Sequence, residues 1–205
     1  MLHRSSIDVC RKCGAESPAD NMFGDRCRLC FDSSLHFERA ISVGSYHGVL
    51  QEVVIRMKQR QNEVLAYQAG QLLGLMVEIF DLSDSVDRIV PVPTHWTRRL
   101  KRGCHVASVI SEGVSRQTGL RASNRTLYSV RRTSKQGMLS GPKRRRNVRG
   151  AFALRHRVSI EGERILLVDD VMTSGATASE AAWTMLKAGA SSVVVAVVAR
   201  GEGAS

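Results

Sequence analysis

The C-terminal third of the chain contains two continuous apolar segments, and these constrain the fold more than any other feature. The first is RILLVDD, from Arg164 to Asp170, and the second is SSVVVAVVA, at 191–199. Apolar runs of this length without polar alternation are typical of buried strands in a parallel sheet. ASEAAWTMLKAGA lies between them and predicts a helix that ends at Gly189. Strand, helix and strand within about 35 residues predict a right-handed βαβ unit.

The loop VMTSGAT follows the first of these strands and has the residues of a phosphate-binding loop. In a parallel sheet, ligands bind beyond the carboxyl ends of the strands, where loops meet the first turns of helices. The N–H groups and the dipole of a helix start attract an anion, and a glycine lets the backbone approach it closely. We therefore predict that a phosphate binds the segment formed by Thr173, Ser174, Gly175, Ala176 and Thr177.

Asp169 and Asp170 come immediately before this loop. Ionised carboxylates only accept hydrogen bonds, so they suit neutral hydroxyls such as those of a ribose and repel a phosphate. The pattern predicts one strand and loop that bind both the ribose and the 5-phosphate of phosphoribosyl pyrophosphate. A strand ending in an acidic turn without a ligand is the alternative. The loop has no Gly-Lys-Ser/Thr ending, so it is not of the nucleotide-triphosphate type.

Four of the five cysteines form two Cys-x-x-Cys pairs near the N-terminus. Such pairs are seldom disulfides in a reducing cytosol, and two pairs of thiolates can occupy the corners of a tetrahedral zinc site. The polar segment between the pairs is too poor in apolar residues to form a core, so metal would supply its folding energy. We predict a structural zinc module at 1–36 and a second domain at 37–205. Redox-active or spare thiols are the alternative for the four predicted ligands, which are Cys10, Cys13, Cys27 and Cys30.

Further elements are predicted between the cysteine pairs and the C-terminal unit. They are a strand from His36 to Tyr46, helices at 48–59 and from Glu63 to Phe80, a strand at 87–93, and a helix from Val106 to Arg116 that is ended by Gly119. The buried side of the second helix is predicted from its large apolar residues, which are Leu65, Leu72, Leu73, Met76 and Ile79. Residues 131–150 are polar and basic without apolar periodicity, which predicts a long mobile loop with a functional role.

The charge balance favours an anionic ligand. Lys and Arg number 30 against 19 acidic residues, which gives a net charge of +11. This charge attracts nucleic acid or a phosphorylated small molecule, and a basic surface kept for solubility is the alternative explanation. No apolar run reaches the roughly 18 residues of a membrane-spanning helix, and the N-terminus lacks the apolar stretch of a signal peptide. We expect a cytoplasmic protein without membrane insertion.

The segment ILLVDDVMTSGAT resembles the phosphoribosyl pyrophosphate signature of type I phosphoribosyltransferases. Taken with the four-cysteine module, SYHGVLQEVVIRMK, DRIVPVPTHWTRRLKRG and RRTSKQGMLSGPKRRRNVRGAF, it makes nearly the entire chain similar to the ComF-type competence proteins. The resemblance implies an α/β fold, a type I phosphoribosyltransferase-like twisted parallel sheet flanked by helices, with a small N-terminal zinc ribbon. It also implies a link to DNA uptake during natural transformation, in a group whose enzymatic reaction is generally not established.

The resemblance also implies roles for individual residues. Asp169 and Asp170 match the ribose-binding acids, and the segment from Thr173 to Thr177 matches the 5-phosphate loop. Lys58 and the cluster Arg144 to Arg146 match basic positions that could close over the pyrophosphate, although plain surface charge explains them equally. The family's pyrophosphate loop corresponds to Pro93, Thr94 and His95.

The chain departs from the family pattern at two places. Cys104, His105 and Val106 replace the usual Phe-Asn-Gln, which weakens any assignment of polar contacts to this helix start. Thr173 stands where purine-salvage relatives often carry an acid that acts as a base. The chain therefore has no evident base for a purine ring nitrogen.

Two functional hypotheses follow. As an enzyme, the chain would let a nucleophile displace pyrophosphate from carbon 1 of the ribose, with Mg²⁺ bridging the pyrophosphate and the ribose hydroxyls. As a binding protein, it would hold phosphoribosyl pyrophosphate, a related ribose phosphate or a nucleotide as a sensor, or its pocket would be vestigial. Its basic faces would then engage single-stranded DNA or a helicase partner. For stacking on a base, Trp96 is the only candidate beside the basic runs, and core packing explains an isolated tryptophan at least as well.

Overall fold

The computed structural model describes residues 7–59, 61–93, 105–131 and 146–201. Numbered along the chain within these ranges, the strands are β1 (Ile7–Val9), β2 (Glu16–Pro18), β3 (Met22–Phe23), β4 (Arg26–Cys27), β5 (Ala40–Ser45), β6 (Arg88–Pro91), β7 (Leu127–Ser129), β8 (Phe152–Leu154), β9 (Arg164–Met172) and β10 (Ser192–Arg200). The helices are α1 (Gly48–Met57), α2 (Glu63–Ile79), α3 (Val106–Thr118) and α4 (Ala176–Lys187). Short 3-10 turns occupy Ala19–Asn21 and Ser83–Ser85.

A four-stranded parallel sheet forms the centre of the fold. Its strand order is β5-β10-β9-β6. The two apolar segments of the C-terminal third are its two inner strands, β9 and β10, and every residue of β10 after Ser192 is buried. Helix α4 connects them. The predicted α/β fold with a parallel sheet is therefore confirmed.

The loop after β9 is shorter than the sequence predicted. Val171 and Met172 were assigned to the loop, but they continue the strand because they pair with Ala199 and Arg200 on β10. The helix begins at Ala176, two residues before the predicted Ala178. Only residues 173–175 therefore separate the strand from the helix, which fixes the positions of their backbone groups.

The helices cover both faces of the sheet. One face forms a core with α4, through residues such as Leu167, Val195 and Met185. The other face forms a core with α1, α2 and α3, through residues such as Val168 and Ile110. Because successive residues of a strand point to opposite faces, Leu167 and Val168 belong to different cores.

The contact between α2 and α3 corrects the predicted buried face of α2. Leu73 is buried as predicted, but Leu72 is 54% exposed and Ile79 is 68% exposed. The side of α2 that faces α3 consists of small residues instead, including Gly70. A Cβ atom on Gly70 would lie 2.2 Å from the carbonyl oxygen of Ile110 on α3. The two backbones are nearly in contact at Gly70, so small residues occupy this part of the buried face. Of the other predicted residues, Leu65 and Met76 are partly buried against the same core as Leu73.

Replacing Gly70 by alanine is expected to lower the free energy of unfolding by about 2 to 3 kcal/mol, because the new methyl group must push the helices apart. On helix propensity alone the same change would stabilise the protein by about 1 kcal/mol. The sign of the change in unfolding free energy therefore distinguishes the two effects. Leu72→Ala on the same helix removes a half-exposed side chain and is expected to cost less than about 1 kcal/mol. Urea unfolding of both variants checks the ranking. A Leu72 variant less stable than the Gly70 variant would contradict the described packing.

Other predicted elements differ mainly at their ends. The strand predicted from His36 to Tyr46 is observed as Ala40–Ser45. The Lys12 ammonium donates to the carbonyl oxygens of Phe37 and Glu38, and the Glu38 N–H still donates to the Val193 carbonyl on β10 at 2.8 Å. The predicted strand at 87–93 is observed as Arg88–Pro91. Helix α3 ends at Gly119, whose φ is 73°, as predicted.

The predicted loop at 131–150 lies only partly within the described residues. Residues 132–145 lie outside them, and residues 146–148 are helical, so the prediction fails for this short turn. Strands β7 and β8, which the sequence analysis did not predict, pair in antiparallel fashion on either side of the segment. The Val130 N–H donates to the Ala151 carbonyl at 2.9 Å. Both ends of the segment are therefore held together by this separate two-stranded sheet.

Among the helices of the described ranges, none has the length and apolar character needed to cross a membrane.

Candidate functional site

The site lies at the carboxyl ends of β6 and β9, which are neighbours in the sheet. The next described helix after β6 is α3, which packs on one face, whereas α4, which follows β9, packs on the other. Adjacent parallel strands whose helices lie on opposite faces leave a crevice between them, and ligands of open α/β sheets bind in such crevices. Pro91, the last residue of β6, is paired with Val168, so β9 extends past β6 toward the crevice.

The predicted phosphate loop and Asp169 face the same small cavity. Its lining includes Asp169, Thr173, Gly175, Ala176 and Thr177. The Ser179 N–H donates to the Gly175 carbonyl at 2.8 Å, which starts the hydrogen bonding of α4. The first N–H groups of an α-helix have no carbonyl partner within the helix, so they are suited to bind an anion. The cavity has a volume of about 30 Å³, close to that of one water molecule, so it is not itself a pocket for a sugar phosphate. It shows that a helix start, two hydroxyls and a carboxylate lie next to one another at this end of β9.

Gly175 is required by its backbone conformation and by the close packing of the Leu35 side chain against it. Its φ is 72°, in the left-handed region that favours glycine. A Cβ atom here would lie 3.3 Å from the Leu35 side chain, which belongs to the segment that follows the cysteine pairs. The loop is therefore packed from behind by residues outside the sheet.

The two aspartates differ in their surroundings. The Lys58 ammonium, at the end of α1, lies 2.8 Å from Asp170 Oδ2. Asp170 Oδ1 accepts the Val171 N–H at 2.7 Å, and Asp169 Oδ1 accepts the Asp170 N–H at 2.9 Å. Burial raises the pKa of Asp169 well above its ordinary value, and the negative charge of Asp170 raises it further. The site therefore holds one carboxylate paired with a cation and one carboxyl group that burial makes costly to ionise.

This difference predicts how stability depends on pH. The folded protein retains a proton on Asp169 that the unfolded chain releases near pH 4, so this group's contribution to stability falls as the pH rises above about 4. Asp169→Asn keeps the shape without the charge. We expect it to match the wild type near pH 4 and to have a higher Tm at pH 7 to 8.

Asp87 provides a control of opposite sign. Hydrogen bonds from Arg164 lower the pKa of Asp87 to about 2. Its contribution to stability is therefore present above about pH 4 and lost as the pH falls toward 2. Asp87→Asn should be less stable than the wild type at neutral pH, and the difference should shrink below pH 4. Thermal unfolding from pH 2 to 8 measures both variants, and an Asp169→Asn protein less stable than the wild type at pH 8 would contradict the assignment.

The four predicted metal ligands form one cluster. Their sulfur atoms all lie within 4.8 Å of one another and all four residues are buried. Measured separations are 3.5 Å for Cys10–Cys30, 3.6 Å for Cys13–Cys27 and 4.0 Å for Cys27–Cys30. A tetrahedron with zinc–sulfur bonds of about 2.3 Å has sulfur–sulfur edges of about 3.8 Å. The four thiols thus fit a tetrahedral metal ion, and they form no disulfide.

Hydrogen bonds from backbone N–H groups to Cys10 support the same cluster. Cys10 Sγ accepts the N–H groups of Cys13 at 3.4 Å and Cys27 at 3.3 Å, as metal-bound thiolates commonly do. Burial raises the pKa of Cys27 to about 11. Metal binding at this cluster must therefore release protons, which makes its affinity rise with pH.

A buried arginine connects the cysteine cluster to the phosphate loop. Arg200, the last residue of β10, is only 5% exposed. Its Nε donates to the Cys13 carbonyl at 2.8 Å and its Nη1 to the Met172 carbonyl at 3.1 Å, while Nη2 lies 3.5 Å from Cys13 Sγ. Arg200 is not predicted from the sequence because an arginine ending an apolar strand has the pattern of an ordinary strand end. Its guanidinium holds the end of β9 next to one of the candidate metal ligands.

The structure describes only some of the remaining predicted site residues. Lys58 contacts Asp170, and Pro93 follows β6 at the crevice. Thr94 and His95 lie outside the described residues, as do Arg144 and Arg145 of the basic cluster. His105, which flanks the site in the sequence, caps α3, because its Nδ1 accepts the Ser108 N–H at 3.1 Å.

The chain is similar to several known proteins. Residues 100–204 match the phosphoribosyl transferase domain family. Over 195 residues the chain is 30% identical to DNA utilization protein YhgH of Salmonella typhimurium, covering 94% of this chain and 84% of that protein. It is 27% identical over 199 residues to competence protein F of Haemophilus influenzae, covering 95% and 86%. A solved structure of the allosteric regulatory enzyme of purine biosynthesis aligns with 64% of this chain and 25% of its own, at 22% identity and a TM-score of 0.40.

Proposed function

Because the chain belongs to the phosphoribosyl transferase domain family, and within it to the ComF-type competence proteins, we propose that it binds phosphoribosyl pyrophosphate with Mg²⁺ in a role linked to DNA uptake. The observation that carries the proposal is that Asp169 lies next to the loop at 173–177, where both line one small cavity at the start of α4. A phosphate at the start of α4 and a ribose against the carboxyl groups would use these two neighbouring chemistries together.

The neighbouring charges fit the rest of the ligand. Lys58 pairs with Asp170 at 2.8 Å. A bound ribose would give Asp170 a hydroxyl partner, and the ammonium group would then be available to the pyrophosphate. Two adjacent carboxylates and substrate oxygens are the ligands that Mg²⁺ prefers, and the ion would neutralise charge on the pyrophosphate.

The reaction that follows from this arrangement is phosphoribosyl transfer. The bond between carbon 1 of the ribose and the pyrophosphate oxygen breaks, a bond from carbon 1 to the acceptor forms, and pyrophosphate leaves with the bonding electrons. The chain's own contribution is to fix the ribose through its hydroxyls and the 5-phosphate through the backbone, so that carbon 1 is held in one position.

Pyrophosphate release tests whether the chain is an enzyme. The protein is incubated with Mg²⁺ and phosphoribosyl pyrophosphate, together with a panel of bases, amines and ammonia. Acceptor-dependent release supports transfer, whereas binding by calorimetry without release for any acceptor supports a sensor role. The proposal of a phosphoribosyl site fails if calorimetry in Mg²⁺ buffer detects no binding of either phosphoribosyl pyrophosphate or ribose 5-phosphate.

Binding of single-stranded DNA is the second candidate function. It is favoured by the net charge of +11 and by a groove next to the phosphate loop that combines aromatic and cationic side chains. Strong dependence of affinity on salt would be its signature. A helicase partner and a cytoplasmic location remain predictions from the sequence.

A further inference from the structure

A second, larger groove lies beside the phosphate loop, and we refer to it as the outer groove. It has a volume of about 600 Å³ and runs between residues 33–36, residues 146–150 and the exposed side of α4. This volume is within the range of about 300–1,000 Å³ that is usual for small-ligand sites. Ser174 and Ala176 line the outer groove as well, so it begins where the phosphate loop ends.

Two aromatic rings form one wall of the outer groove. The centroids of His36 and Trp183 are 4.7 Å apart, with an angle of 33° between the ring planes. The hydroxyl of Ser179, a buried residue, lies 3.0 Å from His36 Nδ1 and accepts the His36 N–H at 3.1 Å. Trp183 remains 40% exposed. The chain thus fixes an imidazole and displays an indole on its surface without covering either.

Cationic groups surround this aromatic pair. The lining includes Arg146, Arg149 and Lys187, all exposed, and the Lys187 ammonium lies 4.9 Å from the centroid of the Trp183 ring. Glu180 also lines the groove, but its Oε1 already accepts the Gly150 N–H at 2.7 Å. Cations therefore outnumber the carboxylate, and the groove attracts an anion that also carries an aromatic face.

We propose that the outer groove binds a nucleotide unit, with its base against His36 and Trp183 and its phosphates against Arg146, Arg149 and Lys187. Stacking on a fixed aromatic pair recognises any base, because every base has a π face. An incoming base would take the place of the Lys187 ammonium over the Trp183 ring. The displaced ammonium group could then bind the adjacent phosphate. The inference rests on the second candidate function and does not require the phosphoribosyl site. The unit could belong to a strand of nucleic acid or to a free nucleotide, which share this chemistry.

Fluorescence anisotropy with a labelled thymidine oligonucleotide of about 12 residues tests the proposal. Trp183→Leu keeps an apolar side chain but removes the stacking surface, and it should lower the affinity about 5- to 100-fold. Trp183→Phe keeps a ring and should retain most of the affinity, which separates loss of stacking from misfolding. Equal affinities of the wild type and the folded leucine variant would overturn the proposal.

The salt dependence tests the cationic part. Neutralising Arg146 and Arg149 together, each to glutamine, should reduce the slope of log K against log salt by about 1.4, because each single-strand phosphate contact contributes about 0.7. Arg116→Gln, an exposed arginine on α3 at the other face of the sheet, is the matched control and should leave the slope unchanged. A slope reduced as much per charge removed by the control as by the double variant would show diffuse surface binding and contradict a defined groove.

Two further arms identify the ligand and separate the two sites. Displacement of the oligonucleotide by AMP would show that a free nucleotide fills the groove, whereas displacement only by unlabelled strand would assign it to nucleic acid. Phosphoribosyl pyrophosphate binding by Trp183→Leu in Mg²⁺ buffer should equal that of the wild type. A negative result for oligonucleotide binding would then refute the outer-groove proposal alone. A negative result for phosphoribosyl pyrophosphate binding would refute the phosphoribosyl proposal alone.

Discussion

Replacing Asp170 by asparagine is expected to lower the affinity for phosphoribosyl pyrophosphate in Mg²⁺ buffer by roughly 30- to 150-fold. This corresponds to about 2 to 3 kcal/mol, the usual size of a lost hydrogen-bonded contact to a charged group. The change also releases Lys58 from its 2.8 Å contact with the carboxylate. Because the freed ammonium still attracts anions, pyrophosphate alone should bind the variant at least as well as the wild type. Isothermal calorimetry with both ligands measures this difference.

The control for this prediction is Glu52→Gln. Glu52 is a carboxylate on α1 that pairs with Arg56 at 3.4 Å, and its side chain is 69% exposed. Removing its charge should change neither affinity. If Asp170→Asn weakened both ligands equally, Asp170 would act through the general structure of the site, and its assignment to the ribose would be wrong.

Replacing Cys13 by serine is expected to remove most of the bound zinc and to lower the stability of the whole chain. The cluster around the cysteines contains little besides the four thiols, Ala15 and the flanking Met22 and Leu35, so the metal must supply its folding energy. We expect a loss of at least about 4 kcal/mol, a fraction of what structural zinc contributes in small finger domains. For a chain of this size that is a fall in Tm of roughly 8–16 °C.

The effect should extend to the sheet because two contacts join it to the Cys13 turn. Arg200 donates to the Cys13 carbonyl, and a Cβ atom on Gly14 would lie 2.9 Å from the Ala40 carbonyl oxygen at the start of β5. Cys104→Ser removes the cysteine that is not among the four clustered ones and is the matched control. Metal analysis and thermal unfolding measure both variants. Undiminished zinc in Cys13→Ser would contradict the ligand assignment.

The elements that the sequence predicted well are those whose signals are local. The run ILLV before two aspartates, the glycine at 175 and the helical spacing that follows indicate β9, the loop and α4 from local sequence alone. Only the end of β9 at Met172 depends on pairing with β10. The four cysteines were also predicted from a local signal, because their spacing alone indicates a shared site. The positions of Asp169 and the phosphate loop around one cavity follow from the same local order.

The features that the sequence did not predict depend on tertiary contacts. The buried face of α2 was predicted from large apolar residues, whereas the helix packs through glycines because the α3 backbone lies against it. His36 is fixed by Ser179, a residue 143 positions away, and no periodicity indicates that pairing. The sequence therefore indicated Trp96, beside the basic runs, as the candidate stacking residue. The described structure instead contains an exposed aromatic pair at His36 and Trp183.

A crystal structure of the protein with Mg²⁺ and phosphoribosyl pyrophosphate tests the central claim most directly. The account predicts the 5-phosphate oxygens about 2.7–3.2 Å from backbone nitrogen atoms of the loop at 173–177, and the ribose hydroxyls at similar distances from Asp169 and Asp170. A ligand bound with its phosphate elsewhere, or with neither carboxylate contacting the ribose, would contradict it.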